Sequence, residues 1–229
     1  MLSYLISGFR GGNIDFMTVV IDIAVSLLVI FLIMPFHEWA HAFTAYRLGD
    51  KGIKQRGRLS LNPLSHIDPI GALLIIFVGF GWAKPVPIDP RYFKNPKVGM
   101  GISALMGPVA NFIAAIAGGL IINALSTFFP GYMITSDFGY YVWLFFSYYI
   151  VLNVGLAVFN LIPIPPLDGS KVLMMFLPDR TVNTIYQYEQ YFFIFIILLF
   201  WFGGGFVSRI TEPVTDFVVW LTGLPFGMG

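Results

Sequence analysis

Apolar residues run through this chain in long blocks separated by short polar stretches. Roughly 20 consecutive apolar residues make a helix long enough to cross the ~30 Å hydrocarbon core of a bilayer. Residues 16–36, FMTVVIDIAVSLLVIFLIMPF, form such a block, and the helical pattern continues through HEWAHAFTAYRL to Gly49. Pro35 removes one backbone donor, which predicts a kink just ahead of the two histidines. Further spans are predicted at about 101–129, 139–162 and 188–206. Residues 70–83 are apolar but short for a crossing and end in Gly and Pro, so a re-entrant, possibly β-strand, segment is expected at about 70–88. The apolar tail 211–224 is also short and is expected to be interfacial. These elements predict an all-α polytopic membrane protein with about four transmembrane helices. With no repeat and no long polar insert, a single domain is expected over 1–229, with its core at about 16–175 and a C-terminal span and tail at about 188–229.

Composition agrees with the pattern. The 229 residues are 57% hydrophobic, 17% aromatic and 11% charged, with a mean hydropathy of +0.80. Soluble domains are nearer a quarter charged, so the lipid bilayer is the expected surrounding. A net charge of +1 shows no basic excess that would call for nucleic acid. With no cysteine, any metal site has to be built from His and carboxylates. The N-terminus MLSYLISGFRGG lacks the basic region and small-residue cleavage site of a signal peptide, and the first span is expected to direct insertion. The aromatic run YYVWLFFSYYI fits an interfacial belt and lipid contact.

Ionisable groups within an apolar block are costly and mark sites. HEWAH, residues 37–41, matches H-E-x-x-H. At 3.6 residues per turn, His37 and His41 lie only about 40° apart around the helix axis. Both imidazoles can reach one zinc ion, with Glu38 beside them to serve as general base. Such a match arises by chance in a chain of this make-up on the order of 5 times in 10,000. Zinc needs a third protein ligand, and the remaining His66 and the aspartates are all candidates. Asp168, in NLIPIPPLDGSK, follows a predicted span, and Pro163, Pro165 and Pro166 break the helix there. An Asp–Gly pair permits a tight turn that aims the carboxylate inward; an ordinary loop aspartate reads the same way. His66, in NPLSH, is either near the site or a hydrogen-bonded structural histidine. Asn111 reads as polar support and Gly107 as close helix packing.

HEWAH (37–41), GPVAN (107–111) and NLIPIPPLDG (160–169), in that order and each beside a span, resemble the site-2 proteases, intramembrane zinc metalloproteases. NPLSHIDP (62–69) and GWAKPVP (81–87) resemble the compact branch of that family, and the resemblance covers about 37–170. It implies one Zn2+ on His37, His41 and Asp168, Glu38 as general base, and Asn160 in the active site, where its amide can donate to a developing oxyanion. It implies as partner a transmembrane or membrane-anchored protein or peptide, cleaved after part of its helix unwinds, with the 70–88 segment offering an edge for the extended chain. No PDZ-like insert is expected in the compact branch, so substrate selection falls to the membrane segments, the 50–100 region or a regulatory membrane partner.

Two other classes compete. A divalent-metal transporter would also place His and carboxylates in the membrane, but paired repeats or several acidic residues at mid-depth are expected of one. A non-catalytic relative that binds membrane segments has no need of Glu38.

Lys and Arg in short loops orient the chain. Residues 47–58 carry Arg47, Lys51, Lys54, Arg56 and Arg58, and residues 84–97 carry Lys84, Arg91, Lys94 and Lys97, whereas loop 130–138 has none. Lys171 and Arg180 lie in 163–187; only Arg209, beyond the fourth span, runs against the count. A multi-pass protein of the plasma membrane is expected, with its N-terminus outside and its active site toward the cytoplasm. The chain has no cysteine of its own, so Ser3→Cys, Lys54→Cys, Lys94→Cys, Thr135→Cys and Arg180→Cys can be probed singly with an impermeant maleimide. Labelling from outside is expected at 3 and 135 only; outside labelling at 54 or 94 overturns both the orientation and the re-entrant assignment.

Overall fold

A computed structural model of the chain describes residues 16–78, 81–188, 191–192 and 204–224. The described residues are mostly helical and contain no strand. Among the described residues, three helices are long and apolar enough to cross a membrane: Ile23–Leu48, Pro96–Phe128 and Asp137–Leu161. The fourth predicted span, 188–206, lies largely outside the described residues.

The first of these lies within a helical run made of α1 (Phe16–Leu28), a π-helical turn (Val29–Ile33) and α2 (Met34–Leu48). Just ahead of Pro35 the helix carries this π-turn, in which the Met34 N–H reaches back to the carbonyl of Val29. Pro35 has no N–H to continue the α-helical ladder, and a wider turn ahead of it absorbs the mismatch. α2 stops at Gly49, where φ is +133° and a Cβ would stand 2.5 Å from the carbonyl oxygen of Tyr92.

After the short α3 (Gly52–Gln55) comes α4 (Pro69–Val78), and the chain then returns as an extended segment over 82–89. The return is antiparallel: Ile67 bridges Ala83, and the Lys84 N–H donates to the carbonyl of His66 at 2.8 Å. Entry and exit of the apolar stretch therefore lie side by side, as a re-entrant segment requires. The possible β-strand at 70–88 is corrected. Its first half is helical, and its second half makes one bridge and no ladder. Pro85, Pro87 and Pro90 remove the amide donors that a strand needs.

The centre of the bundle is α5 (Pro96–Phe128), which packs along α2 and along the later helices. Asn95 caps it, accepting from the Val98 N–H at 3.2 Å, and Pro96 occupies the first turn, where no donor is missed. Its buried positions are mostly Gly, Ala and Ser. Without a hydrophobic drive between helices in lipid, close backbone approach is what holds them. α6 (Pro130–Thr135) joins α5 to α7 (Asp137–Leu161). At Ser136 the hydroxyl caps α7, accepting from the Gly139 N–H at 2.9 Å. Large apolar residues such as Ile113, Phe128 and Phe138 point outward, as lipid contact demands.

α7 ends at a proline-broken loop, and α8 (Asp168–Met174) begins at Asp168 itself. No tight Asp–Gly turn forms, contrary to the sequence reading. Gly169 is helical and lies against the end of α7, where a Cβ would stand 2.2 Å from the carbonyl oxygen of Leu161. α9 (Asp179–Gln187) follows, tied to the start of α5 by Lys97 and Asp179 at 2.8 Å. α10 (Gly204–Leu221) takes up most of the tail that was expected to be interfacial. Val218 and Val219 join a core cluster with Ile122, Ile150 and Val154, so the tail packs into the bundle.

Close approach at Gly169 is unforgiving, because the atoms it meets are backbone. Gly169→Ala is expected to cost roughly 1–3 kcal/mol of stability and to shift Asp168. Thermal unfolding of the purified protein in detergent, with its zinc content, measures both; an unchanged midpoint with full zinc would show that the loop yields freely.

Candidate metal centre

One turn of α2 brings the His37 and His41 rings together edge to face, with centroids 4.6 Å apart. Their Nε2 atoms are 3.0 Å from each other. Asp168, from the start of α8, places Oδ2 at 3.2 Å from the Nε2 of His37 and 3.1 Å from that of His41. All three residues are buried. Donors at about 2.0–2.1 Å from a tetrahedral zinc stand about 3.3 Å from one another, close to this triangle.

The outer nitrogens decide what the inner ones offer. At His41 the Nδ1–H donates to the backbone carbonyl of Ser103 at 2.7 Å. A carbonyl can only accept, so the proton sits on Nδ1 and the Nε2 lone pair faces inward. His37 Nδ1–H donates in the same way to Asn111 Oδ1 at 2.9 Å. Two lone pairs and a carboxylate oxygen therefore converge, and only positive charge reconciles them. The donor set fits zinc in number, type and spacing.

Ser103, Gly107 and Asn111 are spaced four apart on α5 and form a cradle for the two rings. At Gly107 a Cβ would stand 2.4 Å from His41 Nε2 and 2.6 Å from His37 Cε1. Sequence reasoning took Gly107 for helix packing and missed Ser103, whose contribution is a backbone carbonyl. The spacing of four was the signal that was there to find. Lys171 was also missed; its Nζ lies 3.5 Å from the second Asp168 oxygen.

Of the other residues singled out, Asn111 joins the site and His66 does not. His66 is buried, donating from Nε2 to the Ser60 carbonyl at 2.7 Å, and lies outside the His37–His41–Asp168 cluster. Glu38 is half-buried beside the cluster, and its Oε2 accepts the Val86 N–H at 3.1 Å. The Asn160 amide donates to Leu156 O one turn back on its own helix, at 3.0 Å.

The chain is 38% identical over 195 residues to the protein named "Putative zinc metalloprotease YwhC" of Bacillus subtilis, covering 84% of each. The chain belongs to this zinc metalloprotease family. It is also 30% identical to "Putative zinc metalloprotease Rip2" of Mycolicibacterium smegmatis over 71% of this chain and 61% of that one. The Rip2 of Mycobacterium tuberculosis is 29% identical over 73% of this chain and 66% of its own length. No protein-family model and no solved structure matches the chain. For this family member, the buried His–His–Asp triangle supports one zinc ion.

Purified protein is expected to hold one zinc per chain by elemental analysis. His37→Ala, His41→Ala and Asp168→Ala should each abolish tight binding, and Asn111→Ala should weaken it by about 10–100-fold. Full zinc in Asp168→Ala with loss in His66→Ala would assign the third ligand to His66 instead.

Proposed function

We propose that this protein is an intramembrane zinc metalloprotease of the site-2 type, one multi-pass domain of the plasma membrane with its N-terminus outside. The observation that carries this reading is that both histidines of the cluster belong to a helix long and apolar enough to cross a bilayer. A site so placed is matched to a peptide bond within or near the transmembrane segment of a membrane-anchored substrate. In this reading it faces the cytoplasmic side, because the cationic residues 47–58 follow directly on the histidine helix.

Zinc, when bound, lowers the pKa of water toward ~7 and polarises a carbonyl. His37, His41 and Asp168 hold it, and the Ser103 and Asn111 acceptors keep both imidazoles in the tautomer that binds metal. Glu38 takes the proton of the attacking water on its carboxylate and passes it to the leaving amine. Asn160 donates its amide to the developing oxyanion, giving up its bond to Leu156. A substrate helix has to unwind locally first, since its amides are otherwise held in their own ladder.

Glu38→Gln tests the reading in proteoliposomes with a transmembrane peptide as substrate. Cleavage is expected to fall by at least about 10²–10⁴-fold with zinc retained. Metal flux without proteolysis in wild type would mark a transporter, and peptide binding without cleavage a non-catalytic relative.

A further inference from the structure

The extended return over 84–89 is held by charged side chains from the loop that follows the histidine helix. Arg58, only 8% exposed, donates to the carbonyls of Lys84 and Pro85 at 2.6 Å each and to that of Ser65. Farther along, Arg56 donates to the Pro87 carbonyl at 3.0 Å. Buried Asp50 accepts from Arg56 and from the Asp89 N–H, each at 2.9 Å. Between these two clamps lies Val86. Pro85 and Pro87 have no N–H, so Val86 carries the single amide donor of residues 85–87. That donor goes to Glu38 Oε2.

We propose that Arg58 is a positioning residue for Glu38, fixing through the Lys84 and Pro85 carbonyls the Val86 amide that orients the carboxylate. The proposal rests on Glu38 being the general base. One carboxylate oxygen is occupied by a neutral backbone donor, which leaves the negative charge in place and turns the other oxygen to proton transfer. Burying a guanidinium is costly, and burial lowers the Arg58 pKa while the charge of Glu38 works to raise it. Arg58 and Glu38 thus bond the same backbone, Arg58 at the Lys84 and Pro85 carbonyls and Glu38 at the Val86 amide.

The full-length protein is tested in proteoliposomes with the transmembrane peptide, reading kcat, KM, zinc content and thermal midpoint together. Arg58→Met is expected to lower kcat by about 10–100-fold, the size expected of a catalytic group misplaced by about 1 Å, with KM and zinc content within about twofold of wild type. Arg58→Lys should recover part of that loss, because an ammonium can still hold a carbonyl. Val86→Pro removes the donor while leaving Arg58 in place and should reproduce the loss in kcat; Lys54→Ala, an exposed cation on the same loop, should have no effect. If Glu38→Gln is inactive while Arg58→Met and Val86→Pro keep wild-type kcat, the positioning role is overturned and the base stands. If Glu38→Gln is active, the base reading itself fails. A loss in Arg58→Met fully accounted for by unfolded or zinc-free protein overturns positioning in favour of a staple of the fold, as does a raised kcat in Val86→Pro in favour of a latch.

Discussion

Two imidazole nitrogens and a carboxylate oxygen facing one another at 3.0–3.2 Å repel unless positive charge lies among them. In a buried site with little water to screen it, that repulsion is large. The surrounding helices bring the three together. Much of the bundle can be understood as serving that demand. The carbonyl of Ser103 and the amide of Asn111 hold the outer nitrogens, and Gly169 lets the Asp168 helix press against the end of its predecessor.

The long helix α5 is central to this for a reason of size. Its buried face is made of residues too small to keep backbones apart, so two histidine rings fit over Gly107 and the ring of Tyr149 over Gly118. In lipid, where apolar side chains gain little by meeting each other, van der Waals contact at short range is the available glue. The same small face therefore both packs the bundle and leaves room for the metal centre. Bulk at either position would be felt at both levels.

Around the polar end of the bundle, charged residues do structural work through backbone atoms. Arg58, Arg56 and Asp50 bind carbonyls and amides of an extended segment whose prolines deny it a sheet. Irregular backbone near a membrane has to be satisfied by protein, and here buried Arg58 and Asp50, with the more exposed Arg56, meet that need. The segment lies against Glu38, the residue on which the chemistry proposed for this site turns.

Several features were legible in the sequence because they depend on local periodicity. Apolar block length marks helices able to cross a membrane, a spacing of four places His37 and His41 on one face, and prolines mark where α7 must stop. The third ligand was different: spacing and composition left His66 and the aspartates level, and resemblance alone favoured Asp168. Folding brings Asp168 to His37 across 131 positions of chain, and no local pattern encodes a contact at that separation. The same holds for the Ser103 carbonyl, which has no side-chain signature, and for Arg58, which reads as one cation among several in a basic loop. The 70–88 segment was half legible: its length is short for a crossing, but the pairing of Ile67 with Ala83 decided between strand and bridge. Sequence determined which residues can bind metal and which helices can meet lipid; tertiary structure decided which donors meet, because that depends on how closely small residues let the helices approach.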